Sequence, residues 1–313
     1  MRVLVTGGAG FVGANLVRAL LDEPMVTAVH VIDDLSTGDR ANLDGLDADL
    51  TVGSVNDADL LDRAAEGVDA IVHLAARPSV PRSVQDPVAT HHANTTGTLN
   101  VLEAARRVGR PQVIMASSSS VYGANPTLPK SEDLCPAPMS PYAASKLAGE
   151  SYALAYANCF DLPVLVFRFF NVFGPLQPAG HAYAAAIPTF LDAALRGEPI
   201  PVHGDGGQTR DFTYVGSLAA VVVEAVTGRI SSQTPVNLAF GSRRSLLDVI
   251  SDIGTALGRE PEREHQPPRV GDVRHSQADQ TRLRELFPQV KPTPFEEGLA
   301  RTVEWFKTLP DYA

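Results

Sequence analysis

Cysteine, tryptophan and lysine are scarce in this chain of 313 residues, which has two cysteines, one tryptophan and four lysines. Cys135 and Cys159 do not form a C-x-x-C motif, and no cluster of cysteine and histidine has the spacing of metal ligands. The sequence therefore supports neither a disulfide framework nor a zinc site, and we expect no bound metal.

Long apolar runs and an excess of basic residues are also absent. No apolar run reaches the roughly 20 residues of a membrane-spanning helix, and Met1-Arg2 leads into a short apolar run without the core of a signal peptide. The formal net charge is −10, so no basic stripe is available for a nucleic-acid backbone or an anionic membrane. We expect a cytoplasmic protein that binds neither nucleic acid nor membrane.

Apolar residues make up 44% of the chain, enough for a large core in one or two domains. In the first half, short runs rich in Val, Ile and Leu predict buried parallel strands at 2–5, 26–32, 70–74, 112–116 and 163–168. Helical patterns lie between them at about 11–22, 57–66, 89–108 and 142–158. This alternation predicts an α/β fold of the Rossmann type, with a doubly wound parallel sheet.

The pattern loosens after Gly174, where helices are predicted near 184–196, 216–228, 245–257, 278–286 and 295–308. We therefore predict a Rossmann domain over 1–170, with 212–240 returning to it. Residues 171–211 and 241–313 are predicted to form a smaller, mixed α/β lobe that binds the substrate.

A glycine-rich turn follows the first predicted strand. Gly7, Gly10 and Gly13 stand three residues apart, and a helix is predicted to begin at about Phe11. Such glycines let the backbone turn tightly and approach a pyrophosphate, which the amides and dipole of the helix N-terminus attract. The strand-turn-helix context favours a dinucleotide site over an ordinary turn.

An acidic pair ends the second predicted strand. Asp33 stands twenty residues after Gly13, where a carboxylate accepts hydrogen bonds from both ribose hydroxyls and repels a 2′-phosphate. The alternative for Asp33 is a turn or cap residue, and the neighbouring Asp34 could also serve. With the glycines, the pair favours NAD over NADP.

Tyr142 and Lys146 have Y-x-x-x-K spacing at the start of a predicted helix, which places both side chains on one face. The strand predicted at 112–116 leads into a run of hydroxyls, Ser117 to Ser120, at the edge where ligands bind in such sheets. The alternatives are a surface helix with an ordinary lysine, and serines that merely end a strand.

These motifs resemble those of extended short-chain dehydrogenases/reductases of the NAD-dependent epimerase/dehydratase family, over essentially the whole chain. The matching segments are 5–13, 33–38, 73–76, 119–123, 140–146, 168–175 and 210–212. The resemblance implies that Tyr142 exchanges the proton of the sugar O4 hydroxyl, its pKa lowered by the cations of Lys146 and the nicotinamide. It also implies that Lys146 holds the nicotinamide ribose and that Ser118 hydrogen-bonds the reacting oxygen.

NAD is the cofactor that the resemblance implies. Contacts to it are expected from Gly7, Gly10, Phe11, Val12, Gly13, Asp33, Asp34, Ser36, Thr37, Gly38, Ser54, Val55, Leu74, Ala75, Ala76, Asn94, Tyr142 and Lys146. One position departs from the family, which usually has an Asp after Gly53 to touch adenine, where this chain has Ser54. A hydroxyl still bonds the adenine amine, so the departure weakens one contact.

Serines replace acids at two positions that bear on the reaction. Family dehydratases have Asp-Glu, or at least Glu, just before Val-Tyr-Gly, and UDP-glucuronate decarboxylases tend to have Glu there, whereas this chain has Ser119 and Ser120. A serine is a poor proton carrier at carbon near neutral pH. The resemblance thus implies a UDP-hexose 4-epimerase that works through a transient 4-keto sugar and bound NADH. Its substrates would be UDP-glucose/UDP-galactose and their N-acetylated counterparts.

The substrate is expected in the second lobe. Arg269 and Asp272 match an R-x-G-D element that holds the pyrophosphate and a uridine ribose hydroxyl, and Arg210 is the second expected phosphate ligand. The full set of expected substrate contacts is Ser79, Ser118, Ser119, Ser120, Tyr142, Asn171, Ala185, Arg210, Arg269, Asp272 and Ser276.

Ser276 bears on the substrate range. Together with the segment 181–188, it resembles epimerases that accept UDP-N-acetylhexosamines, in which a small residue leaves room for the 2-acetamido group and a Tyr would crowd it. The alternative is that Ser276 caps a helix.

Other functions stay open at this point. The nearest alternative function is that of a UDP-glucuronate 4-epimerase or a dehydratase of the same family. A more distant alternative is a catalytically silent NAD-sensing protein, which would be expected to lack Tyr142 or Lys146. The predicted helices 89–108 and 142–158 resemble those that pair with a symmetry mate in this family, so a homodimer with a four-helix interface is expected.

Overall fold

The computed structural model describes residues 1–179, 184–267 and 274–312. At its centre lie seven parallel strands: β1 (Arg2–Thr6), β2 (Ala28–Asp33), β3 (Ala48–Val52), β4 (Ala70–His73), β5 (Gln112–Ser118), β6 (Val164–Phe169) and β11 (Val236–Leu238). They are ordered β3-β2-β1-β4-β5-β6-β11. The order reverses at β1, which lies between β2 and β4, and such a reversal opens a crevice at the carboxyl ends of the strands.

Helices cover both faces of this sheet. One layer contains α1 (Phe11–Leu21), α8 (Val215–Thr227) and α10 (Thr281–Leu286), and the other contains α2 (Ala58–Ala65), α5 (Gly97–Arg107) and α6 (Pro141–Phe160). The strands are apolar toward both layers because both faces are buried. The predicted Rossmann-type α/β fold is confirmed.

Short elements connect and extend these layers. They are α3 (Val80–Gln85), α4 (Pro87–His91), one π-helical turn (His92–Thr96) and 3-10 turns at Arg40–Leu43, Ser119–Tyr122 and Pro310–Tyr312. Among the described helices, none is both long and apolar enough to cross a membrane.

The remaining elements have a core of their own, centred on Phe190, Ile250, Phe295 and Phe306. Its helices are α7 (Ala186–Arg196), α9 (Leu246–Leu257) and α11 (Phe295–Lys307). Its strands pair as β7 (Val172–Phe173) with β10 (Thr213–Tyr214), β8 (Ile200–His203) with β13 (Arg263–Gln266), and β9 (Thr209–Asp211) with β12 (Arg243–Ser245). The segment 212–240 contributes α8 and β11 to the sheet layers, while the division into two domains stays a prediction.

Three features differ from the sequence prediction. The strand β3 was not predicted, because it lies at the sheet edge with Val52 half exposed and has no continuous apolar run. The strand β11 was not predicted as a separate strand either, because it is fully buried but only three residues long. The helix predicted over 89–108 is divided by the π-helical turn, which holds Asn94.

Candidate active site

A cleft of about 1370 Å³ opens at the carboxyl ends of the strands. Most of the predicted site residues line it: Gly7, Gly10, Phe11, Val12, Gly13, Asp33, Asp34, Ser36, Thr37, Ser54, Val55, Leu74, Ala75, Ala76, Ser79, Ser118, Ser119, Ser120, Tyr142, Lys146, Asn171 and Ala185. Gly38, Asn94, Arg210 and Ser276 are described but do not line it. Arg269 and Asp272 lie outside the described residues.

The glycine turn after β1 is a cradle that side chains would fill. Gly7 has a left-handed φ of +75°, and a Cβ there would lie 2.6 Å from the backbone nitrogen of Ala75. A Cβ on Gly13 would lie 2.1 Å from the carbonyl oxygen of Gly7. Because Gly10 precedes the first turn of α1, the free amides of that helix face the cradle. The space and the donors fit a pyrophosphate.

The two acidic residues after β2 differ in their surroundings. Asp33 is buried, and its two carboxylate oxygens accept hydrogen bonds from the amides of Ala9 and Leu35, each at 2.9 Å. Burial raises the pKa of Asp33, and these amides oppose the rise. Asp34 is exposed and accepts both the amide and the hydroxyl of Ser36. Asp33 therefore ties the glycine turn to the end of β2, while both carboxylates border the cleft.

The helix α6 positions the Tyr-Lys pair. Ser140 caps its N-terminus by accepting the amide of Ala143 at 3.1 Å, which fixes the first turn where Tyr142 lies. One turn later, the ammonium of Lys146 donates to the carbonyl of Ala116 in β5 at 2.9 Å. The phenol of Tyr142 is hydrogen-bonded with Ser118 at the end of β5. The three predicted catalytic residues are thus brought together across α6 and β5.

Burial raises the pKa of Tyr142, and the hydrogen bond with Ser118 opposes the rise. The lowering of this pKa by the cations of Lys146 and the nicotinamide stays a prediction. The same desolvation lowers the pKa of Lys146 to about 8. The positive charge of Lys146 is therefore lost as the pH rises through that value.

Asn94 lies behind the cleft wall. Its side-chain oxygen accepts the amide of Arg77 at 2.7 Å, and its nitrogen donates to the carbonyl of Arg77 and to the hydroxyl of Ser145. The π-helical turn aims this amide at the loop after β4. The prediction that Asn94 contacts the cofactor stays untested, but its hydrogen bonds show that it shapes the loop that lines the cleft.

His73 at the end of β4 was part of a recognised motif but had no predicted role. The hydroxyl of Thr98 donates to the carbonyl of Asn94 at 2.6 Å, so it must accept the hydrogen bond from Nε2 of His73. Since Nε2 carries the proton, Nδ1 accepts from the hydroxyl of Thr6 at 2.7 Å. Burial lowers the pKa of His73 to about 3, aided by the charge of Lys146. A neutral imidazole of fixed tautomer therefore joins β1, β4 and α5.

The predicted substrate residues of the second lobe are only partly at the cleft. The amide of Asn171 donates to the carbonyl of Asp211 at 3.2 Å, which holds it at the cleft border. Arg210 donates to the carbonyls of Thr209 and Arg274, and the amide of Ser276 also donates to Thr209. Arg210 and Ser276 thus lie together beside β9.

Ser276 does not cap a helix. The next helix, α10, begins only at Thr281, and Ser276 is half-buried in a segment outside any helix or strand. Sequence reasoning also missed Arg77, Arg82 and Gln177, which line the cleft. Nothing in their spacing distinguishes them from surface residues.

Comparisons with known proteins agree with this geometry. A model of the NAD dependent epimerase/dehydratase family matches residues 3–239. The chain is 39% identical to a UDP-glucose 4-epimerase of Mycolicibacterium smegmatis, over 98% of this chain and 99% of that one.

Solved structures share the fold over almost the whole chain. The UDP-N-acetylglucosamine 4-epimerase from Methanobrevibacter ruminantium, in complex with UDP-N-acetylmuramic acid, is 36% identical with a TM-score of 0.92, over 97% of both chains. The UDP-glucuronic acid 4-epimerase from Bacillus cereus, in complex with UDP-glucuronic acid and NAD, is 30% identical with a TM-score of 0.88, over 98% of this chain and 99% of that one.

Proposed function

Since the chain belongs to the NAD-dependent epimerase/dehydratase family and its cofactor is NAD, we propose that it is a UDP-hexose 4-epimerase. Its proposed substrates are UDP-glucose/UDP-galactose and UDP-N-acetylglucosamine/UDP-N-acetylgalactosamine. The observation that carries the proposal is the Ser118-Tyr142-Lys146 constellation, beside which the described lining of the cleft places no carboxylate. Among the described residues that line the cleft, the only carboxylates are those of Asp33 and Asp34.

Those two carboxylates are far from the constellation. They follow β2, which is separated from β5 by β1 and β4, and three strand spacings amount to roughly 14 Å. Dehydration needs an acid and a base at C5 and C6 besides the group at O4. The serine hydroxyls beside Tyr142 are poor substitutes, which favours epimerisation over dehydration.

Each residue of the site has a separate role in the proposed reaction at C4 of the sugar. Bound NAD supplies a reversible hydride acceptor. Tyr142 takes the proton of the O4 hydroxyl and returns it, while Ser118 hydrogen-bonds the phenol oxygen and favours its ionised form. Lys146 places a positive charge one turn along α6, and the Gly7–Gly13 cradle holds the pyrophosphate. The chain itself therefore needs to move only one proton.

Incubation with a UDP-sugar and no added NAD tests this function. UDP-glucose, UDP-N-acetylglucosamine and UDP-glucuronate are incubated separately, and the products are identified by mass and NMR. The proposal expects inversion at C4 with unchanged mass for the first two. Loss of water or carbon dioxide, or no product from any of the three, would contradict it.

UDP-glucuronate 4-epimerase is the second candidate. It is supported by the likeness to the Bacillus cereus structure and by the hydroxyl of Ser119, which lines the cleft and can donate to a carboxylate. In the same incubation, inversion of UDP-glucuronate alone would favour this candidate. A silent NAD-binding protein is less well supported, because Tyr142 and Lys146 are both at the cleft.

The substrate range is predicted to depend on Ser276. Ser276→Tyr is expected to lower kcat/KM for UDP-N-acetylglucosamine by at least about tenfold and to spare UDP-glucose, because overpacking costs about 1–3 kcal/mol. Ser276→Ala is the matched control and should change neither. Equal losses on both substrates, or none on either, would mean that Ser276 does not border the C2 substituent.

We also propose a homodimer paired through α5 and α6. The 20-residue helix α6 has only two charged residues, Lys146 and Glu150, and both are buried. Its exposed residues are all uncharged: Ala144, Ser151, Tyr152, Ala155, Asn158, Cys159 and Phe160. A helix face without charge is unusual in contact with water and is typical of an interface.

A charge on that face should separate the dimer. Ala155→Arg is expected to give a folded monomer by light scattering at micromolar concentration, whereas Ala300→Arg, on the exposed side of α11, should leave the dimer intact. A wild-type monomer, or an Ala155→Arg dimer, would contradict the assembly. The cytoplasmic location stays a prediction.

A further inference from the structure

The hydroxyl of Ser118 is an acceptor for two groups of the same residue. The amide of Ser120 donates to it at 3.2 Å and the hydroxyl of Ser120 donates to it at 2.9 Å. Both bonds lie within the 3-10 turn Ser119–Tyr122, whose N-terminus Ser118 caps. A serine hydroxyl has two lone pairs and one proton. Both lone pairs of Ser118 are therefore occupied, and only its proton is available.

The partner for that proton is Tyr142. Its phenol is hydrogen-bonded with Ser118, and because Ser120 occupies both lone pairs of the Ser118 hydroxyl, Ser118 donates its proton to the phenol oxygen. When Tyr142 is protonated, it cannot donate back to Ser118, because Ser118 has no lone pair left. The phenol proton must then point elsewhere, and Tyr142 lines the cleft.

We propose that Ser120 is a positioning residue that sets the direction of a hydroxyl chain from Ser120 through Ser118 to Tyr142, which keeps the phenol proton for the reacting oxygen. Ser120 acts through Ser118 and exchanges no proton itself. Its role in turnover rests on the proposed function, whereas the direction of the chain does not. Chains of hydroxyls also polarise one another, so the bond from Ser120 strengthens the bond that Ser118 makes.

Ser119 provides the comparison within the same turn. It lines the cleft as Ser120 does, but no hydrogen bond joins its hydroxyl to Ser118 in the described part of the chain. Removing either hydroxyl makes the cleft less polar by a similar amount. Only the removal of the Ser120 hydroxyl frees a lone pair on Ser118.

Other charged groups around Tyr142 stay in place when Ser120 changes. Lys146 is on the same helix, Arg77 and Arg82 lie on the loop and helix beside the cleft, and Arg168 in β6 is paired with Glu150 at 2.6 Å. Tyr122, in the same 3-10 turn as Ser120, is buried and donates its hydroxyl to Asn237. The remaining ionisable groups on the elements packed against α6 or beside it are His73, which is buried and neutral, His91 and His92, which are exposed, and Glu103, Arg106 and Arg107 at the far end of α5. In the described part of the chain, no hydrogen bond or ion pair joins these remaining groups to Ser120.

The test is an ultraviolet titration of tyrosinate in the holoenzyme, from which the curve of Tyr142→Phe is subtracted to isolate Tyr142. Ser120→Ala should raise the midpoint of Tyr142 by about 0.5 to 1 pH unit, the size expected when one hydrogen bond to a hydroxyl relay is lost. Ser120→Thr, which keeps the hydroxyl, should restore the wild-type midpoint. Ser119→Ala should move the midpoint by less than about 0.2 unit.

Kinetics supply a second readout. In the pH profile of kcat, the acid limb of Ser120→Ala should shift to higher pH by the same amount. The KM should change by less than about twofold, since the substrate loses little contact. An unmoved midpoint in Ser120→Ala, an equal shift in Ser119→Ala, or no rescue by threonine would overturn the proposal. The titration needs no substrate, so its result stands even if the proposed epimerase activity fails.

Discussion

Tyr142→Phe is expected to lower turnover of UDP-glucose by about 10² to 10⁴, the usual contribution of a general acid/base. The substitution deletes the phenol oxygen and leaves the ring, so the capped first turn of α6 and the cleft wall are unchanged. UDP-sugar binding, measured by calorimetry, should therefore stay within about threefold of wild type, because little contact area is removed.

Tyr156→Phe is the matched control. Tyr156 is on the same helix, but its hydroxyl donates to Glu103 away from the cleft, at 2.5 Å. Its loss should cost about 1 kcal/mol of stability and leave turnover nearly unchanged. A Tyr142→Phe protein with turnover within about twofold of wild type would show that another group carries the proton.

Gly13→Ala is expected to remove the bound cofactor. The wild-type protein should be purified with NAD, since a cofactor that is oxidised and reduced within one turnover need not leave. A Cβ on Gly13 would lie 2.1 Å from the Gly7 oxygen and 2.6 Å from the Gly8 Cα, and both are backbone atoms that cannot yield without opening the turn. Overpacking of about 1–3 kcal/mol corresponds to a loss of affinity of about 5-fold to 150-fold.

The nicotinamide nucleotide released on denaturation measures this effect. Gly45→Ala is the control. Gly45 has a left-handed φ of +75°, which alanine adopts only at a cost in stability. A Cβ added at Gly45 would have no other atom within 4 Å, so it would cause no clash. It should lose some stability and keep its NAD. Full NAD content in Gly13→Ala, or none in the wild type, would contradict the assignment of the cradle.

The sequence was most informative where function depends on local spacing. The turn at Gly7 to Gly13 and the pair Tyr142 and Lys146 each lie within a few residues, so one strand-turn-helix or one helical turn places them. Ser118 was predicted because the strand before it is a continuous apolar run that ends at the ligand edge of the sheet.

Features that depend on distant contacts were not predictable. The hydrogen bonds between Asn94 and Arg77 depend on a π-helical turn, and the position of Arg210 beside Arg274 depends on a bridge between segments far apart in the chain. The edge strand β3 is stabilised by its pairing with β2 and has no strong pattern of its own. These features are determined by tertiary packing, which the hydrophobic periodicity of a single segment does not reveal.

The most direct measurement of the proposed chemistry at C4 is the conversion of UDP-glucose in deuterated water, analysed by NMR and mass. If hydride leaves C4 and returns to the opposite face, while Tyr142 moves only the proton on oxygen, the UDP-galactose formed should contain no deuterium at any carbon. Deuterium at C5 would reveal proton abstraction from carbon, and deuterium at C4 would reveal exchange with solvent, and either result would contradict epimerisation by hydride return.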